Sequence, residues 1–125
     1  MTRPRCVFVV DDSEIVLGLT AAALEDAGYE ARTMTSWEDL ERVLSVARPD
    51  LILMDVNMPL VTGDYALPFF KEERGLQAVP ILLYSDINPV ELERRARDCG
   101  ADGFVPKGAG LDGMLAAIAQ HLPRG

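Results

Sequence analysis

Apolar residues along this chain alternate between two patterns, short uninterrupted runs and longer stretches with helical spacing. The runs predict β-strands that are buried on both faces, as in a parallel sheet, and the stretches between them predict helices. The second strand is the least apolar of the five, so we expect it at an edge of the sheet. The strands are expected at residues 6–10, 29–33, 51–55, 81–84 and 103–105.

Capping residues and helix breakers delimit the predicted helices. Ser13 is expected to cap the first helix, which Gly28 ends, and Asn88-Pro89 marks the start of the fourth. The segment Thr35-Ser36-Trp37-Glu38 predicts a capping box. The second, fourth and fifth helices are expected at residues 36–47, 90–99 and 111–122, and the third is expected to start at Gly63 with Pro68 early in it.

Three of these helices have apolar stripes that we expect to face the sheet. The stripes are Ile15, Val16, Leu19, Ala23 and Ala27 in the first helix, Trp37, Leu40, Val43 and Leu44 in the second, and Leu111, Met114, Leu115, Ile118 and Leu122 in the last. The strict alternation of strands and helices predicts a single α/β domain over residues 1–125. Its five-stranded parallel sheet would be doubly wound, with five helices on two faces.

Composition and charge narrow the classes of function. At 125 residues the chain suits one domain of ordinary size, and no apolar run approaches the roughly 20 residues of a membrane helix. The net charge of -8 argues against direct binding of nucleic acid. Cys6 and Cys99 are expected to be reduced thiols, and we expect a cytoplasmic protein.

Polar, reactive side chains follow four of the strands. Asp11 and Asp12 follow the first strand, Asp55 is the last residue of the third, Ser85 follows the fourth, and Lys107 lies just beyond the fifth. In open α/β sheets, ligands bind outside the carboxyl ends of the strands, so these side chains are expected at one edge.

Three carboxylates gathered at that edge would need a cation among them, and magnesium prefers carboxylates, waters and a phosphate oxygen. The set has the outline of a phosphoryl-transfer site, with Asp55 as the attacking carboxylate and Ser85 as a hydrogen-bond donor to the phosphoryl group.

This arrangement resembles the receiver domain of two-component response regulators, and the resemblance covers essentially the whole chain. Asp11-Asp12 is similar to the acidic pair of that family. The segment from Asp55 to Pro59, followed by Gly63, is similar to its phosphoacceptor loop, and Gly100 to Lys107 to the stretch with its aromatic residue and lysine. The resemblance implies a flavodoxin-like sheet with the strand order 2-1-3-4-5.

The resemblance also implies a role for each residue. Asp55 would accept a phosphoryl group, with Mg²⁺ held by Asp12, Asp55 and the backbone carbonyl of Asn57, and with Asp11 acting largely through water. Lys107 would complete the site. Ser85 and Phe104 would form a switch that alters the surface of the fourth helix, fifth strand and fifth helix.

The implied partners follow from these roles. The donor would be a sensor histidine kinase or a histidine phosphotransfer protein, and a downstream protein would bind the altered surface; a homodimer formed on phosphorylation is compatible with it. Such a domain is not an enzyme in the ordinary sense, because it promotes only its own phosphorylation and dephosphorylation. No nucleic acid or membrane partner is expected.

One departure and two alternatives stand beside this interpretation. Gly108 follows Lys107, where the family usually has a proline joined by a cis bond, so the loop after Lys107 is expected to be more flexible. One alternative is a magnesium phosphohydrolase of the haloacid-dehalogenase type, which places a second aspartate where this chain has Asn57. The other is a pseudo-receiver that binds partners without taking phosphate.

Overall fold

The computed structural model describes residues 3–122, so residues 1–2 and 123–125 of the expected domain lie outside the described part. Within it, five parallel strands form one sheet in the order β2-β1-β3-β4-β5. The strands are β1 (Cys6–Val10), β2 (Glu30–Met34), β3 (Leu51–Met54), β4 (Ile81–Ser85) and β5 (Gly103–Pro106). The helices are α1 (Glu14–Asp26), α2 (Trp37–Leu44), α3 (Gly63–Glu73), α4 (Pro89–Cys99) and α5 (Gly110–His121), with a 3₁₀ turn at Lys107–Ala109. The predicted doubly wound, flavodoxin-like α/β fold is confirmed.

The sheet separates two hydrophobic cores. Alternate side chains of β1 point to opposite faces, so Phe8 and Val10 join the core under α2, α3 and α4, whereas Val7 and Val9 join the core under α1 and α5. The strands β1, β3 and β4 are fully buried, whereas β2 lies at an edge and is largely exposed, as its polar sequence indicates. No helix in the described range is both long and apolar enough to cross a membrane.

The buried face of α1 agrees only in part with the predicted stripe. Ile15 and Leu19 are 77% and 59% exposed. The other residues of the stripe are partly buried against the core, as predicted: Val16, Ala23 and Ala27. The fully buried residues of the helix are Leu17, Thr20 and Leu24. These three lie at i, i+3 and i+7, which is a regular helical face. The prediction was wrong for Ile15 and Leu19, because the mostly apolar sequence of α1 offers more than one face that resembles an inner one.

Helix termini also differ from the prediction in detail. The side chain of Ser36 caps α2, but its partner is the N–H of Asp39, and the Asp39 carboxylate accepts hydrogen bonds from the backbone N–H and hydroxyl of Thr35. The box thus uses Asp39 instead of Glu38. Pro68 is the sixth residue of α3, beyond the first turn, and Leu111 at the start of α5 is exposed.

Candidate functional site: an acidic pocket at the carboxyl edge of the sheet

Three carboxylates meet at the carboxyl edge of the sheet. Strands β1 and β3 are neighbours, with Val10 paired with Met54, so Asp11 and Asp55 leave the sheet side by side. One carboxylate oxygen from each of Asp11, Asp12 and Asp55 lies within 4.8 Å of the others. Asp11 and Asp55 are buried, whereas Asp12 is exposed to solvent. The expected convergence of these three acids is therefore present in the structure.

Backbone groups fix the orientation of the two buried carboxylates. Oδ1 of Asp11 accepts a hydrogen bond of 2.9 Å from the N–H of Ser13, which caps α1. Oδ1 of Asp55 accepts one of 3.2 Å from the N–H of Asn57. The second oxygen of each carboxylate is thus left to face the pocket.

Lys107 contacts both of these second oxygens. Its Nζ lies 2.7 Å from Oδ2 of Asp11 and 3.5 Å from Oδ2 of Asp55. The 3₁₀ turn that starts at Lys107 holds the side chain over the pocket although Gly108 replaces the usual proline, and no peptide bond between residues 3 and 122 is cis. The side chain of Lys107 therefore reaches both buried carboxylates of the pocket.

The charges in the pocket are unbalanced. Burial raises the pKa of the Asp55 carboxyl above its ordinary value of 3.8, and the nearby Asp11 charge adds to this effect, whereas Lys107 opposes it. Burial acts to lower the pKa of Lys107, but the hydrogen bond to Asp11 and the charges of Asp55 and Asp11 raise it overall. Lys107 supplies one ammonium group against three carboxylates. The excess of negative charge in the pocket therefore favours binding of a further cation. Its oxygen-only donor set suits a hard divalent ion such as Mg²⁺.

Two further predicted residues lie on the neighbouring strands. Ser85 is fully buried at the end of β4, and its Oγ accepts a hydrogen bond of 3.4 Å from the N–H of Ile87. Phe104 in β5 is paired with Leu83 of β4 and packs, half-buried, against the core under α4.

Gly63 supports the pocket from below. Its N–H donates a hydrogen bond of 2.9 Å to the carbonyl of Val56, and a Cβ at this position would lie 2.1 Å from the backbone oxygen of Asp55. The start of α3 therefore packs directly on the backbone of the residue that carries the central carboxylate, and a side chain here would displace it.

Asp86 is a residue of this edge that the sequence analysis missed. Its Oδ1 accepts a hydrogen bond of 3.3 Å from Nδ2 of Asn57, which joins the loop after β3 to the loop after β4. Its position in the sequence could have identified it, because Asp86 directly follows Ser85 at the carboxyl end of β4.

A family model for the response regulator receiver domain matches residues 7–119. The polar-differentiation response regulator DivK of Brucella anthropi is 29% identical over 120 residues, which are 95% of this chain and 97% of DivK.

Solved structures agree with this match. The chemotaxis response regulator CheY4 of Vibrio cholerae superposes with a TM-score of 0.85 at 27% identity, covering 94% of this chain and 98% of CheY4. A putative response regulator from Chloroflexus aurantiacus superposes with a TM-score of 0.88 at 22% identity, covering 97% and 99% of the two chains, and shares the fold.

Proposed function

This chain belongs to the response regulator receiver domain family, the signalling domains of two-component systems, and from that premise we propose that Asp55 is its phosphoacceptor. The main support for this proposal is the surroundings of Asp55. Its buried carboxylate lies beside the buried carboxylate of Asp11 and 3.5 Å from the ammonium group of Lys107. We further propose that the protein works in the cytoplasm as a phosphorylation-controlled switch.

The proposed reaction is transfer of a phosphoryl group from a phosphohistidine. Oδ2 of Asp55 forms a bond to phosphorus while the bond between phosphorus and the histidine nitrogen breaks, and the released imidazole takes a proton from solvent. Oδ1 keeps its hydrogen bond to Asn57, so the carboxylate is held during attack. Lys107 lies close enough to stabilise the negative charge of the transferring group.

The metal ligands proposed for Mg²⁺ are Asp12 and Asp55 directly, Asp11 largely through water, and the backbone carbonyl of Asn57. The proximity of the three carboxylates and their hard oxygen donors support this set. When bound, the ion would neutralise charge on the oxygens of the phosphoryl group.

The proposed output is a change at the surface formed by α4, β5 and α5. Ser85 would donate its hydroxyl hydrogen to the new phosphoryl group, and Phe104 would move inward on the adjacent strand. The half-buried position of Phe104 at the margin of its core supports this, because part of the ring is still exposed and could be buried by an inward movement. A sensor histidine kinase or histidine phosphotransfer protein would be the donor, and a downstream protein would bind the changed surface.

Mass spectrometry after treatment with acetyl phosphate and Mg²⁺ tests the proposal. We expect one phosphoryl group per chain, located at Asp55 by peptide mapping and lost in Asp55→Asn. The control Asp26→Asn, which changes an exposed carboxylate at the far end of α1, should be labelled like the wild type. Absence of labelling would indicate a pseudo-receiver, and multiple turnovers of p-nitrophenyl phosphate would indicate a phosphohydrolase.

A further inference from the structure

A hydrogen bond between two exposed side chains joins the loops on either side of the acidic pocket. Nδ2 of Asn57 donates to Oδ1 of Asp86 at 3.3 Å. Asn57 belongs to the loop after β3 and Asp86 to the loop after β4, and these two strands are neighbours in the sheet. The contact therefore crosses the solvent side of the same edge from which Asp55 and Ser85 emerge.

Both partners of this contact are tied to the buried part of the pocket. The backbone N–H of Asn57 donates to Oδ1 of Asp55, and Asp86 directly follows the buried Ser85. Ile87, the next residue, is half-buried and packs against the core under α2, α3 and α4. The side chain of Asp86 is exposed and contacts Asn57 across the pocket. The hydrogen bond thus links two loops whose inner ends are the proposed phosphoacceptor and the serine beside it.

We propose that Asp86 is a positioning residue that holds Asn57 across the mouth of the pocket and so lengthens the lifetime of the phosphoryl group on Asp55. This inference rests on the proposed function, because it concerns the reverse reaction at the same carboxylate. In that reaction the oxygen of a water molecule bonds to phosphorus while the bond from phosphorus to the Asp55 oxygen breaks. The products are the Asp55 carboxylate and dihydrogen phosphate, which carries both hydrogens of the water.

The attacking water must reach phosphorus from the side opposite the Asp55 oxygen. Asp55 is buried, whereas Asn57 and Asp86 in the loops after β3 and β4 are exposed, so we infer that water enters between these loops. The hydrogen bond between the amide of Asn57 and the carboxylate of Asp86 restrains both side chains and would narrow this approach. Loss of the hydrogen bond would free the Asn57 side chain and open the approach to water.

The test measures the first-order rate constant for loss of phosphate from the purified, phosphorylated protein, with Mg²⁺ present. Asp86→Ala should raise this constant roughly fivefold, as expected for the loss of one hydrogen bond of ordinary strength. Asp86→Asn should behave like the wild type, because its amide oxygen still accepts from Asn57. In the Asn57→Ala background, Asp86→Ala should have no further effect, since the contact is already absent.

Asp26→Ala, which removes an exposed carboxylate at the other end of the molecule, is the matched control and should leave the rate unchanged. Equal lifetimes in Asp86→Ala and wild type would overturn the proposal. So would an Asp86→Asn variant as fast as Asp86→Ala, which would assign the effect to charge alone, or an undiminished effect without Asn57. A wild-type protein that takes no phosphoryl group would instead refute the proposed function, and this inference with it.

Discussion

At the scale of single residues, the proposed phosphoacceptor Asp55 carries a buried charge that is only partly compensated. Its carboxylate is 4% exposed, and it shares the ammonium of Lys107 with Asp11, which lies closer to that ammonium. A buried charge that is only partly compensated destabilises the folded state. Burial, reinforced by Asp11, accordingly raises the pKa of Asp55.

Asp55→Asn should therefore stabilise the protein when divalent ions are removed with EDTA. We expect a gain of about 1–2 kcal/mol in the free energy of unfolding at neutral pH, measured by urea denaturation. The amide oxygen of the new side chain can still accept the hydrogen bond from Asn57. Asp12→Asn should give a smaller gain, because Asp12 is exposed and its charge is screened by solvent.

The pH dependence of this gain has a definite sign. Because the folded-state pKa of Asp55 is raised, the wild type is favoured by protonation below the ordinary value of 3.8, and this contribution is lost as the pH rises through the folded-state pKa. The advantage of Asp55→Asn should therefore be largest at neutral pH and shrink towards acid pH. An advantage independent of pH, or no advantage, would contradict the assignment of an uncompensated charge to Asp55.

The residues of the pocket differ in how far the sequence could predict them. Asp11, Asp12 and Asp55 directly follow apolar runs, and the topology of a parallel sheet then brings them to one edge. Asp86 has the same position after a strand, but its contact with Asn57 depends on two side-chain conformations in different loops. Neither spacing nor periodicity encodes such a contact, which is why the sequence analysis missed it.

At the scale of elements, the start of α3 packs on the backbone of Asp55, the proposed phosphoacceptor. Gly63 is buried, and a Cβ there would meet the backbone oxygen of Asp55. Only glycine allows α3 to approach the end of β3 this closely. Any side chain at this position would displace the backbone carbonyl of Asp55.

Gly63→Ala should lower the free energy of unfolding by about 2–3 kcal/mol and slow phosphorylation by acetyl phosphate, because the new methyl group displaces the Asp55 backbone. Gly18→Ala provides the matched control. Gly18 lies inside α1, and a Cβ there would have no atom within 4 Å apart from its chain neighbours and the backbone of its own helix. Alanine should therefore stabilise the protein by about 0.5–1 kcal/mol and leave phosphorylation unchanged. Similar effects of the two substitutions would contradict a packing role for Gly63.

The positions of the strands and helices were predictable because their apolar patterns and capping residues agree with the elements that the fold contains. Ser13 and Asn88 cap their helices as expected. The buried face of α1 was predicted only in part, because several registers of its mostly apolar sequence resemble an inner face. The contact with the sheet, which no local pattern specifies, selects the register that buries Leu17 and Leu24 and exposes Ile15.

At the scale of the whole molecule, the sheet separates the core under α1 and α5 from the core under α2, α3 and α4. Ser85 connects the pocket to the core under α2, α3 and α4. Its hydroxyl accepts a hydrogen bond from the N–H of Ile87, and the side chain of Ile87 packs against that core just before α4. Phe104 packs in the same core from the neighbouring strand β5. A change at Ser85 therefore has a continuous packed path to α4 and β5, whereas α1 and the rest of its core lie on the other side of the sheet.

Ser85→Ala should uncouple phosphorylation from the change at α4 and β5. We expect the variant to take a phosphoryl group on Asp55, because Lys107 and the three carboxylates remain. In the wild type, phosphorylation should alter amide hydrogen exchange in α4 and β5 more than in α1 or α2, and in Ser85→Ala this alteration should largely disappear. Asp55→Asn treated in the same way controls for direct effects of acetyl phosphate. A full response in Ser85→Ala, or a wild-type response centred on α1, would show that the path does not pass through this hydroxyl.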